Sequence, residues 1–185
     1  MTSTSAAAID REELFAIATE VRSFLDPRWI EFQRQRGLVY ASHPSTGMCR
    51  LSALFLLRVL EQELPAVGWQ CLGGSPDAAD EDVDPALGLP GGYRDSDGNW
   101  SGHYWVADGD FELVVDITAD QFGGEPVVVI EDVADGAYRE NYVSAAVVER
   151  LKDVRDRVAG WLDEWASQHE IGWSAAHSSL GRGLR

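Results

Sequence analysis

Apolar residues recur along this chain with two different periods, and the switch between them predicts a helical front, a β middle and a helical end. Leu14, Ile17, Val21 and Phe24 follow helical spacing behind Asp10, an N-cap with Glu13 three residues on, the capping-box arrangement. Asp26-Pro27 reads as a second N-cap with proline at the first helical position. It opens a short helix through Trp29, Ile30 and Phe32 that stops near Gly37. Residues 38-46 form a loop, in which Ser45 or Thr46 caps the next helix, an apolar run from Cys49 to near Leu64-Pro65.

In the middle, Trp69 to Leu72 predicts one strand. Trp100 to Ala107 and Phe111 to Ile117, rich in aromatic and β-branched residues, predict two more, joined by Asp108-Gly109 as a two-residue type I′ turn. That turn sets Ala107 opposite Asp110 and His103 opposite Val114, so His103 and Asp116 fall on one face as diagonal neighbours. A three-residue turn would reverse the parity and aim Asp116 away. Thr118 to Gly124 reads as a turn or short helix and Pro126 to Ile130 as an apolar strand. Residues 73-99 shift to Gly, Pro, Asp and Ala, with an acidic run from Asp77 to Asp84. They predict a long solvated insertion beside the site, a candidate lid.

Asn141 to Gln168 carries the stripe Val143, Val147, Leu151, Val154, Val158, Trp161 and Trp165, the mark of one long amphipathic helix. Core packing is the plain reading of the stripe, with part of it left as a possible homodimer surface. The tail, 171-185, lacks clear periodicity and is expected to be loosely held.

With 185 residues the chain suits one domain that buries about 70% of its unfolded surface. Within it lie N-terminal helices over 1-39, a core over 40-132 and a C-terminal helix over 138-170. The net charge of −16 repels phosphate backbones and anionic lipids, which argues against nucleic-acid and membrane-surface partners. Lys152 is the only lysine, a bias toward arginine that points to a GC-rich bacterial genome. The first residues lack the pattern of a secretory signal and no segment has membrane-spanning length, so a cytoplasmic location is expected. There Cys49 and Cys71 are free thiols; a disulfide between them is the competing reading. No phosphate-binding glycine loop, dinucleotide fingerprint, HExxH or paired CxxC occurs, so no cofactor is expected. His169 and His177, at or beyond the end of the last helix, read as solvent-facing.

Cys49 falls in the first turn of its helix, where unpaired N–H groups and the helix dipole favour a thiolate. Taken alone it reads more simply as a small buried hydrophobe. His103 and Asp116 follow it in the chain order of nucleophile, base and orienter, although the same three types also serve as metal ligands.

This ordered set, with Gly102-His103-Tyr104-Trp105 and then Asp116-Ile117-Thr118-Ala119-Asp120-Gln121-Phe122, resembles the papain-like and transglutaminase-like superfamily. It is most similar to the little-characterised bacterial proteins of the YunG type. The resemblance spans roughly residues 40-130. It implies an α+β, papain-like fold with the nucleophile helix packed on an antiparallel sheet. It also implies that Cys49 is the nucleophile, that His103 accepts its proton and that Asp116 orients the ring. The papain pattern has a glutamine six residues ahead of the cysteine as oxyanion donor, and His43 stands there instead. His43 and Gln121 are therefore weak candidates for that role, the backbone N–H of Cys49 is another, and Trp105 is a candidate for substrate contact.

The function these residues imply is a cysteine-dependent amide hydrolase acting on a peptide, isopeptide or side-chain glutamine bond through an acyl-enzyme. An acyltransferase using the same triad, or an inactive papain-fold binding protein, are the alternatives. The acidic insertion and the aromatic residues near His103 suggest a cleft that takes a small-molecule or peptide substrate with an apolar or cationic group.

Overall fold

The computed structural model describes residues 9-38, 43-109, 112-131 and 136-180, with 170-180 as backbone alone. The architecture is α+β. Helices α1 (Arg11–Gln35) and α2 (Cys49–Glu63) precede strands β1 (Gln70–Gly74), β2 (Gly92–Arg94), β3 (Trp100–Ser101), β4 (His103–Ala107), β5 (Leu113–Asp116), β6 (Val128–Glu131) and β7 (Tyr138–Arg139). Helices α3 (Ser144–Arg150) and α4 (Arg155–Leu180) close the chain. A four-stranded antiparallel sheet runs in the order β1-β4-β5-β6, and a small one in the order β3-β2-β7.

Each face of the larger sheet has its own core. On one face α1, α2 and α4 bury Leu25, Trp29, Phe55, Leu60 and Trp165 against Val106 and Val115. Phe24 and Phe55 stack at 5.4 Å, and Trp165 meets both edge-on. On the other face Leu72, Trp105, Ala107 and Val114 pack against Tyr93 and Tyr138 of the small sheet. All five residues of β4 are buried, so this strand is hydrophobic on both sides.

Asp10 caps α1 as expected, accepting from the N–H groups of Glu12 and Glu13. The predicted break at Asp26-Pro27 does not occur. The helix runs through Pro27 to Gln35, because Phe24, Leu25, Trp29 and Phe32 form one buried face whose packing outweighs the lost backbone bond. The Asp26 carboxylate accepts from Arg22 Nε at 2.7 Å instead of capping a new helix. Gly37, at φ 67°, ends the helix where the sequence placed its end.

The long C-terminal helix is also revised. It is divided into α3 and α4 by a 3₁₀ turn at Lys152–Val154, and helical backbone reaches Leu180, inside the tail expected to be loose. Val147, Leu151, Val158 and Trp165 of the predicted stripe are buried in the core, whereas Val143 is exposed.

The region 73-99 is largely solvent-exposed, as expected, but it carries regular structure. It holds the end of β1, a 3₁₀ turn at Pro85–Leu87 and β2, and Val83 forms a bridge with Tyr142. Its acids build turns: Asp77, Asp80 and Asp84 each accept from the N–H two residues on. Asp80 and Asp82 also pair with Arg150. Among the described residues no helix is long and apolar enough to cross a membrane.

Candidate active site

The hairpin that carries the site has a longer loop than the sequence suggested. Ala107 pairs with Val114, four residues beyond the expected Asp110, and the Asp108 carboxylate caps the loop by accepting from Glu112 and Leu113 N–H. A shift by an even number of residues keeps every side chain on its face. Continuing this register, His103 and Asp116 remain diagonal neighbours, now with Asp116 level with Trp105 rather than two residues past His103's partner.

The dyad is formed and sealed. His103 Nε2 lies 2.7 Å from Asp116 Oδ2, with the two residues 1% and 2% exposed. Tyr138 donates its hydroxyl to the same carboxylate oxygen at 2.9 Å. Asp116 Oδ1 accepts from the N–H of Thr118 at 2.8 Å and from its hydroxyl at 3.0 Å. Four donors thus fix the carboxylate, and burial's preference for the neutral acid is overcome by the imidazolium and these bonds, which hold Asp116 below its usual range. Burial likewise opposes charge on His103, but the Asp116 carboxylate outweighs it and raises the imidazole to about 10. The two shifts agree: the pair exists as imidazolium and carboxylate. Aromatic rings enclose it, with Phe122 edge-on at 5.1 Å and Tyr93 at 5.9 Å.

Cys49 is the first residue of α2. Ser45 and Thr46 do not cap the helix; the N-cap is Met48, which offers no side-chain acceptor. Ser45 is fully buried in a turn in which Met48 N–H donates to its carbonyl, so its side chain is not at the helix end. The first backbone bond joining the helix to its cap runs from Ser52 N–H to the Met48 carbonyl, leaving the N–H groups of Cys49 and Arg50 without an acceptor among the described residues. Cys49 is half-buried and lines a cleft of about 520 Å³. Its sulfur is near enough to raise the His103 pKa, yet no described atom makes a well-formed hydrogen bond to His103 Nδ1. Asp116 takes Nε2, which leaves Nδ1 as the nitrogen free to face the thiol. Catalytic hydrogen bonds commonly tighten only when substrate is bound.

The Asp116–Phe122 segment accounts for itself residue by residue. Thr118 holds Asp116. The Ile117 carbonyl accepts from Arg22, whose guanidinium also grips both oxygens of Asp120 at 2.9 and 2.8 Å, tying the segment to α1. Gln121 reaches back: its Oε1 accepts from Gly47 N–H at 3.1 Å while its Nε2 donates to the Thr118 carbonyl at 2.9 Å. Gln33 holds the same loop from α1, donating to the Pro44 and Thr46 carbonyls. Gln121 and Gln33 position Cys49, and the amide N–H₂ of Gln121 is committed elsewhere than to an oxyanion. His43 sits 3.9 Å from Asp120 Oδ2 rather than against the sulfur, and it is not among the residues lining the cleft. Trp105 is 2% exposed and stacks beside His103 in the second core, away from the cleft wall.

Sequence reasoning missed Tyr138, whose two-residue strand carries no local signal, and the roles of Gln33 and Arg22. Thr118 was missed as well, although a carboxylate two residues before a Thr N–H is an Asx-turn pattern that could have found it. Cys71 is a free thiol that burial, with a smaller effect from Cys49, pushes up to about 12, and no disulfide joins the two. His169 is held by the Trp165 carbonyl and Glu20; His177 lies outside the residues with described side chains. No cluster of three His, Cys, Asp or Glu with metal-binding geometry occurs among the described residues. Compared with the models of known families, with curated proteins and with solved structures, the chain matches none.

Proposed function

We propose that this protein is a cysteine-dependent amide hydrolase of the papain-like, transglutaminase-like kind, with Cys49, His103 and Asp116 as its triad. The observation that carries the reading is the buried His103–Asp116 pair, bonded through Nε2, with Nδ1 unpaired beside a half-buried cysteine that opens onto a cleft.

In the first half-reaction His103 is already the imidazolium, its Nδ1 holding the proton that the thiol has given up, and the thiolate attacks the amide carbonyl, forming a C–S bond as the carbonyl π pair moves onto oxygen. The developing oxyanion accepts from the free N–H groups at the start of α2. Collapse breaks the C–N bond, and His103 Nδ1 returns the proton to the leaving amine. Water then gives a proton to His103 Nδ1 as its oxygen attacks the thioester carbon, and collapse breaks the C–S bond to release the thiolate beside the imidazolium. Asp116 stays ionised throughout and holds the ring in place.

Incubation with p-nitrophenyl acetate followed by mass spectrometry tests this. An acetyl group is expected on Cys49, absent from Cys71 and lost in His103→Ala. A folded protein that acquires no acyl group on Cys49 overturns the proposal and leaves the scaffold as a binding module.

A further inference from the structure

The cleft beside Cys49 is cationic in a protein that is strongly anionic. Arg36, Arg50 and Arg157 line it, with Asp153 as the one acid among the described residues there. Against 15 basic residues the chain carries 31 acidic ones, so a basic side chain has acids to spare as partners. Arg11, Arg22, Arg28, Arg34, Arg58 and Arg150 each take one. The three cleft arginines have no ion-pair partner among the described residues; Arg94, Arg139 and Arg155 also lack one but do not line this cleft. The cleft arginines rest on the rings of the cleft instead: Arg36 and Arg157 both over Phe32, at 5.0 and 4.2 Å, and Arg50 over Tyr104 at 5.6 Å. Two guanidinium groups on one ring repel each other, and a ring quadrupole offsets little of that at an exposed site. A second observation is independent of charge. Tyr104, 5% exposed and part of the same wall, has a buried hydroxyl with no hydrogen-bond partner among the described residues. Planar guanidinium forks are the groups that recognise carboxylate or phosphate.

We infer that the substrate carries an anionic group, carboxylate or phosphate, held by Arg36, Arg50 and Arg157 next to the bond that Cys49 attacks. This rests on the thiol chemistry proposed above, and it replaces the apolar or cationic substrate suggested by the acidic insertion, whose acids are spent on turns and Arg150.

Two alkylating reagents of nearly equal size separate the questions. Iodoacetamide is neutral and reports whether Cys49 reacts at all; iodoacetate carries the proposed charge. The net charge of −16 alone would slow iodoacetate, so a faster reaction requires local positive charge, from the His103 imidazolium or the cleft arginines, and substitution of the arginines separates the two. The expected result is a rate ratio of iodoacetate to iodoacetamide above one at Cys49. It should fall at least about tenfold in the Arg36→Gln, Arg157→Gln double variant and decline with added salt. Arg58→Gln, on the exposed side of α2 and paired with Glu61, should leave the ratio unchanged. Phosphate should slow iodoacetate more than acetate does if the site prefers phosphate, and the reverse order identifies a carboxylate site. A ratio below one with rapid iodoacetamide labelling overturns the substrate class and leaves the thiol chemistry standing. A ratio that falls equally in Arg58→Gln also overturns it. No labelling by iodoacetamide overturns both.

Discussion

At the scale of single residues the site is governed by how many donors each acceptor receives. Asp116 is buried with four, and its two oxygens are not equivalent: Oδ1 is held by its own neighbour Thr118, Oδ2 by His103 and Tyr138 from other strands. Tyr138 therefore supports the ring's partner, with no hydrogen bond to Nδ1. Tyr138→Phe removes one donor from a buried charge, and a loss of roughly 1.5–3 kcal/mol in stability is expected from urea unfolding. Acetylation of Cys49 by p-nitrophenyl acetate should slow less than tenfold in this variant, because three donors remain. Asp116→Asn should slow it by on the order of 10²-fold, since the imidazolium loses its countercharge. Equal loss of rate in both variants would show that Tyr138 does more than position the carboxylate.

At the scale of elements the position of His103 depends on two glycines where the sheets cross. Gly74 of β1 pairs with His103, and a Cβ built on it would meet the Gly92 nitrogen and the Arg139 carbonyl. Gly92 has φ 100° and its own added Cβ would meet the Ser101 carbonyl oxygen. Gly92→Ala combines backbone strain with a backbone clash, so it should lower stability by more than about 1 kcal/mol. It should also reduce Cys49 acylation in the molecules that remain folded; full stability and activity would contradict this account of the crossing. Nothing in the sequence around Gly92 discloses it, because the contact joins segments distant along the chain. The dyad was legible for the opposite reason. Face identity depends only on whether a register shift is even or odd, so the pairing of His103 with Asp116 survived an error of four residues in the loop. Helix ends proved less readable where burial competes with local signals, as at Pro27, whose proline rule gave way to the apolar face formed by Phe24, Trp29 and Phe32.

At the scale of the whole molecule, the titration of the buried pair links the site to folding. His103 is raised from 6.5 to about 10, so the folded state holds that proton more tightly than the unfolded chain does. Its contribution is complete below about 6.5 and is lost as pH climbs through about 10. Asp116 is held below 3.8, so its contribution is complete above 3.8 and is lost as pH falls through its lower folded value. The pair supports the fold best between these limits, about pH 4 to 6.5. The excess of acidic residues adds self-repulsion that also grows with alkalinity as remaining cations discharge, and His169, raised against the cost of burial by the Trp165 carbonyl and Glu20, acts in the same direction. A comparison isolates the site from these background effects. His103→Gln fills a similar volume and cannot take up the proton, yet it retains the rest of the surface charge. Between pH 6.5 and 10 the urea midpoint of the wild-type protein should fall more steeply than that of the variant. Parallel slopes would mean that His103 carries no extra proton in the folded state, and the imidazolium beside Cys49 would have to be given up with it.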